Sequence, residues 1–185
     1  MAKKKEKHLA VALQGGGAHG AFTWGVLDRL LEEEELKLDG FVGTSAGAMN
    51  AAVLAYGLME SREKARTLLE KFWRTTSEVA SMSYLKPSLY DKMFGKGNMD
   101  HSPGFLMGEI MSIFLSPYQS PLPEVNPLRK ILLDIIDFDA LHRCKVTKLY
   151  VCATNVRRGR VRVFDLSEMS VDAVLASDNL PFLFL

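Results

Sequence analysis

The sequence predicts an α/β domain on a mainly parallel sheet, and three observations lead there. Residues 8–13 (HLAVAL) and 149–156 (LYVCATNV) are short apolar runs of the kind that form strands buried on both faces. Segments of helical period separate them. Two glycine-rich turns, residues 15–20 (GGGAHG) and 43–47 (GTSAG), each follow a strand and open a helix, which is how strand–helix crossovers of parallel sheets begin.

The first strand, residues 8–13, runs straight into the glycines. After them Ala21, Trp24, Leu27, Leu30 and Leu31 recur at helical spacing. That helix ends among Glu32, Glu33, Glu34 and Glu35, where the negative end of the dipole disfavours acids, so these residues read as a solvated face. Phe41 and Val42 end a second strand. Ala46, Ala48, Ala51, Ala52 and Ala55 then make a helix with a thin side, suited to close packing on a sheet. Ser61 is an N-cap for a helix whose apolar stripe is Ala65, Leu68, Leu69, Phe72 and Trp73.

Between residues 77 and 123 the texture changes: Met82, Met93, Met99, Met107 and Met111 are mixed with glycines and prolines. Short, broken structure is expected, serving either as a lid or acyl-chain wall or as a cap packed for stability. Asn126-Pro127 starts a helix with Leu128, Ile131, Leu132 and Ile135 as its stripe. Arg157-Arg158-Gly159-Arg160 reads as a hairpin turn into residues 161–165. Ser170 caps a last helix that should stop near Asn179, ahead of Pro181. The final Phe182-Leu183-Phe184-Leu185 is apolar, which predicts that the natural chain continues.

Composition narrows the function classes. A chain of 185 residues that is 48% hydrophobic supports one core, with residues 1–7 a basic tail and residues 8–185 the domain. A net charge of +1 provides no field to collect nucleic acid. Cys144 and Cys152 have no metal-like spacing with the four histidines, so reduced structural thiols and no metal are expected. The N-terminus lacks the apolar core of a secretory signal and no run is long enough to span a bilayer, so a cytoplasmic location is expected.

The chemistry lies in the two turns. Gly43-Thr44-Ser45-Ala46-Gly47 fits a nucleophile elbow, in which Ser45 stands on a sharp turn and Gly43 and Gly47 let the turn close. Gly15, Gly16, Gly17, Ala18 and Gly20 supply backbone N–H donors for an oxyanion, one such donor being worth about 2.7–4 kcal/mol of transition-state stabilisation. Gly15, Gly17 and Gly20 also satisfy GxGxxG, but the end of the second strand carries the elbow where a dinucleotide site needs an acid. An ordinary α/β-hydrolase would place its elbow after more strands, and neither His101 nor His142 has an acid partner at a telling spacing.

The glycine loop, the early elbow, Asn126-Pro127-Leu128-Arg129, Ala153-Thr154-Asn155, and Ala176-Ser177 followed by Pro181 and Phe184 stand in the order of the patatin-like phospholipases, which the chain resembles over most of its length. The resemblance implies a three-layer α/β/α sandwich, C-terminally incomplete here, and lipid acyl-ester hydrolysis of the phospholipase A or lysophospholipase type. It implies a Ser/Asp dyad with Ser45 as nucleophile and residues 15–20 as oxyanion loop, no cofactor, a lipid or phospholipid acyl ester as substrate, and peripheral membrane contact. The family's base is an aspartate in an Asp-Gly-Gly or Asp-Gly-Ala motif beyond Pro181; the 185 residues contain neither, so on this reading they alone are inactive or nearly so. Asp39-Gly40 is followed by Phe41 and is no substitute, and Asp178 reads as a helix-end residue. His19 stands where many relatives carry Arg or Lys. The alternative is a non-catalytic lipid-binding or regulatory relative. Head-group preference and oligomeric state are not legible.

Overall fold

The structure, a computed structural model, describes residues 6–82 and 126–178. Residues 1–74 with 128–178 form one compact unit and residues 75–127 with 179–185 another; everything that builds the site lies in the first. Lys3, Lys4 and Lys5, the lid or cap segment from residue 83 onward with His101, and residues 181–185 lie outside the described residues.

Four strands form one sheet in the order β1 (Lys7–Leu13), β2 (Leu36–Gly43), β3 (Lys148–Asn155), β4 (Arg160–Phe164). β1, β2 and β3 run parallel, and β4 returns antiparallel through the predicted arginine turn, with Gly159 at φ 59°. The α/β class and mainly parallel sheet are therefore present. Leu13, Gly43 and Val151 stand level across the three parallel strands, so the glycine loop and the elbow both leave the sheet at its carboxyl edge. Open α/β sheets gather ligand sites at that edge.

Leu13, Leu38, Phe41, Leu149 and Val151 are buried on one face of the sheet. Against the sheet packs α2 (Ala46–Leu58), whose residues are buried almost without interruption through Ala55. Its small side chains allow this: an added Cβ at Gly57 would stand 2.3 Å from Ala65 Cα, which measures how closely α2 meets α3 (Arg62–Met82). α1 (Gly20–Leu31) buries Leu27 and Leu31, and Phe72 and Leu69 of α3 complete this part of the core. On the other face of the sheet Ala10, Ala12, Tyr150 and Val163 are exposed.

The N-cap expected at Ser61 is present, its Oγ accepting from Lys64 N at 3.0 Å. α3 continues through Met82, so residues 77–82 are helical where the sequence texture predicts broken structure. No proline or glycine falls between Arg62 and Met82, and without one the amphipathic pattern simply propagates. α4 (Pro127–Ile135) starts at the expected proline. A four-residue helix, α5 (Phe138–Leu141), capped by Asp137 accepting from Ala140 N, is too short to show a period in sequence.

Glu32, Glu33 and Glu34 after α1 are exposed, as expected, and Glu32 and Glu33 also make ion pairs. Arg29 reaches Glu33 at 2.5 Å, and Arg66 bonds both Asp28 (2.8 Å) and Glu32 (3.1 Å). Arg62 donates to the carbonyls of Leu31 and Glu33 and also to Leu36 O, so a cation sits on the negative end of α1 and offsets the acids there. The Arg66 hydrogen bond holds the Asp28 carboxyl below its ordinary range. A depressed carboxylate pKa contributes stability that is present above the unfolded value, about 3.9, and is lost as pH falls through the folded one. Asp28→Asn is therefore expected to lower the urea midpoint at neutral pH, with the gap to the parent closing below about pH 4; equal midpoints at neutral pH would show the pair contributes nothing.

Candidate active site

Ser45 lies between β2 and α2 with φ 53° and ψ −126°, and among the described residues it is the only non-glycine with positive φ. Such a conformation costs about 1–3 kcal/mol and persists only where the surroundings enforce it. Here they do. Thr44 N donates to Leu13 O (3.2 Å), Gly47 N to Thr44 O (2.9 Å) and Ala48 N to Ser45 O (2.8 Å), closing the turn on β1 and starting α2 at once. An added Cβ at Gly47 would lie 2.2 Å from Leu13 O, and one at Gly43 would lie 2.4 Å from Gly47 O, so neither position admits a side chain. The positive end of the 13-residue α2 dipole falls at Ser45.

The glycine loop lies against this turn: a Cβ on Gly15 would be 3.0 Å from Ser45 Cβ. Gly16 and Gly17 take φ 155° and 54°, and residues 16–19 are exposed. Among the described residues, the N–H groups of Gly15, Gly16 and Gly17 have no backbone acceptor. Gly20 differs, because its N–H donates to Gly17 O and its space is filled by Ala46 and Trp73. Gly20 is thus committed to packing and to its own helix start, and the loop glycines without a backbone acceptor among the described residues are Gly15, Gly16 and Gly17. His19 folds onto the loop, its backbone N–H donating to Gly16 O (3.0 Å) and its Nδ1 3.1 Å from the same oxygen.

Three contacts lay beyond the reach of sequence reasoning. Asn50, fully buried in α2, donates to Gly20 O (3.0 Å) and accepts from Trp73 Nε1 (2.8 Å), so one side chain ties the start of α1, α2 and α3 together beneath the loop. A lone amide in an otherwise apolar helix was the available signal, since a buried amide requires partners. Asn50→Ala would orphan both groups, at about 1–3 kcal/mol each. The expected result is a stability loss of about 2–5 kcal/mol in urea unfolding, and a loss under about 1 kcal/mol would show that the tie is dispensable.

The second contact is made by Ser177 in α6 (Val171–Asp178): its Oγ accepts from Ser45 N at 2.8 Å and donates to Cys152 O at 2.6 Å. The third is Asp178, the last residue of α6, whose Oδ1 accepts from Ser45 Oγ at 2.6 Å. The side chains of Ser45, Ser177 and Asp178 are half-buried. Helix α6 packs on β3, and β3 pairs with β2, so residues more than 130 positions away reach the elbow.

The other titratable candidates are engaged elsewhere. His142 Nε2 is 2.5 Å from Met169 O, and His8 pairs with Asp39 across β1 and β2 at 2.7 Å. Cys144 is buried and Cys152 half-buried, both as free thiols, and among the described residues no cluster of His, Cys, Asp or Glu could hold a metal. No helix among the described residues is long and apolar enough to cross a membrane.

A hydroxyl on an enforced turn, a carboxylate in contact with it and loop amides beside it that have no backbone acceptor among the described residues form an arrangement suited to acyl transfer. No curated protein sequence matches the chain. Among solved structures it is similar to ExoU in the heterodimeric ExoU–SpcU complex from the type III secretion system of Pseudomonas aeruginosa, at 22% identity and TM-score 0.45, covering 95% of this chain and 36% of that one. It is also similar to VipD from Legionella pneumophila, at 17% identity and TM-score 0.46, covering 98% and 43%. The chain thus spans less than half the length of either. The patatin-like phospholipase family matches residues 11–185, and the chain belongs to that family.

Proposed function

We propose that the protein hydrolyses lipid acyl esters, as a phospholipase A or lysophospholipase, with a Ser/Asp dyad in which Ser45 is the nucleophile. The observation that carries this reading is Ser45 itself: a hydroxyl on a positive-φ turn, at the N-terminus of α2, beside the N–H groups of Gly15, Gly16 and Gly17, which have no backbone acceptor among the described residues. Ser45 Oγ attacks the ester carbonyl, and the loop amides with the α2 dipole receive the oxygen that turns negative. The base is an aspartate, and no metal or organic cofactor takes part.

Membership of a phospholipase family supports a lipid substrate. Phe22, 79% exposed in the first turn of α1 just after the loop, with Val26 one turn on, supports peripheral contact with a lipid surface by a cytoplasmic protein. The test is release of free fatty acid from phosphatidylcholine or lysophosphatidylcholine vesicles. Release that depends on Ser45 is expected, and vesicles left intact would contradict the proposal.

A further inference from the structure

We infer that the hairpin between β3 and β4 is a docking tip for an anionic lipid surface, placed so that a bound membrane lies over the edge of the sheet that carries Ser45. This rests on the reading of the protein as one that acts on lipids, and it names the kind of lipid surface and the residues that grip it.

The tip reads Val156-Arg157-Arg158-Gly159-Arg160-Val161, with no acid between Ala153 and Phe164. Every residue from Thr154 to Val163 is exposed. The turn is closed, since Arg158 N donates to Asn155 O (3.2 Å) and Asn155 Oδ1 (3.1 Å) and Gly159 takes φ 59°. Val156 and Val161, at 73% and 70%, are with Phe22 the most exposed large hydrophobic side chains among the described residues. Arg162 is held by Glu168 and lies over the Phe164 ring, whereas among the described residues Arg157, Arg158 and Arg160 make no ion pair.

The combination selects the partner. Arginines that only solvate a turn need no apolar flank, and the two valines bury nothing within the hairpin. A bilayer uses both: its headgroup phosphates pair with guanidinium groups, and the hydrocarbon just beneath receives the valines. An acidic protein or a nucleic acid would use the charge and leave the valines in water.

The position ties docking to the site. Val151 of β3 stands level with Gly43 of β2, and β3 continues for four residues, about 13 Å of strand, before the turn. The elbow, the glycine loop and α1 with Phe22 leave the sheet at this same carboxyl edge. The tip therefore projects past Ser45 at its own edge. Its base is fixed to the elbow, because Cys152 O accepts from Ser177 Oγ and that oxygen accepts from Ser45 N.

The experiment is co-sedimentation of the natural full-length protein, carrying Ser45→Ala, with vesicles of phosphatidylcholine alone and of phosphatidylcholine with phosphatidylglycerol. Binding is thus read without catalysis, so it can hold where fatty-acid release fails, and fail where release holds. The expected result is tighter binding to the anionic vesicles, weakened by salt. Each arginine is worth about fivefold at such a surface, so Arg157→Gln, Arg158→Gln and Arg160→Gln together should weaken it about a hundredfold and remove most of the preference for anionic lipid. Val156→Ser with Val161→Ser should weaken binding to both kinds of vesicle, by about tenfold. Should the triple variant fail to fold by circular dichroism, the three single replacements, each costing about fivefold, decide instead. Equal binding of the parent to the two kinds of vesicle, no binding to either, or folded arginine variants that bind as the parent does would overturn the inference. Capture by soluble polyglutamate as tight as by vesicles would also overturn it, and would assign the arginines to an acidic protein.

Discussion

Ser45→Ala is expected to reduce ester turnover by about 10⁴–10⁶, to the level that oriented amides alone sustain. The size of the effect follows from the proposed role of the hydroxyl: without Oγ no acyl-enzyme would form, and donors at Gly15, Gly16 and Gly17 would have no developing oxyanion to stabilise. The fold should register little beyond the loss of the half-buried hydrogen bond to Asp178. Ser45 makes its contact to Ser177 through backbone N–H and its contacts to Ala48 and Met49 through its carbonyl, and alanine keeps all of these. A melting temperature close to the parent's with activity gone is the signature of a nucleophile; a similar loss in both would assign the residue to the scaffold. Alanine also retains the Cβ that a positive φ disfavours, so relief of strain does not cloud the comparison.

Gly47→Ala is expected to be among the most damaging glycine-to-alanine changes at the described residues. Its Cβ would fall 2.2 Å from Leu13 O, 2.6 Å from Leu13 C and 2.8 Å from Gln14 O, all backbone atoms at the junction of β1 and the glycine loop. Nothing there can rotate aside, unlike the end of a flexible side chain. Either α2 moves off the sheet or the loop moves off the elbow, and overpacking of this kind costs about 3 kcal/mol or more. Both routes separate Ser45 from the amides beside it, so activity should fall together with stability. A Gly47→Ala protein that melts near the parent temperature and keeps its activity would show that the turn is looser than its hydrogen bonds imply.

The strands, the long helices and the elbow were legible because each rests on neighbours in sequence: an apolar run before glycines, a 3.6-residue stripe from Ala65 to Trp73, a small-residue turn around Ser45. The two turns also turned out to be adjacent, as parallel pairing of β1 and β2 requires. What could not be read depends on topology. Asp178 is a helix-end residue, as its sequence indicated, yet α6 packs on β3 and β3 lies beside β2, and only that order of strands brings the carboxylate to Ser45. Ser177 escaped for the same reason. Asn50 escaped because α2 is buried all round, so a pattern of apolar and polar faces carries no information there. Glu32, Glu33 and Glu34 after α1 are exposed, as the sequence indicated, and what escaped is that α3, roughly thirty residues later, sends Arg66 to Glu32 and Arg62 to the carbonyls at the end of α1.

The most direct test of the central claim is mass spectrometry of the protein after exposure to a fluorophosphonate probe, with the adduct mapped by peptide sequencing. The account predicts one phosphonyl group on the peptide containing Ser45 and none in Ser45→Ala. An unlabelled Ser45 in folded protein, or an adduct that persists on another residue when Ser45 is replaced, would contradict it.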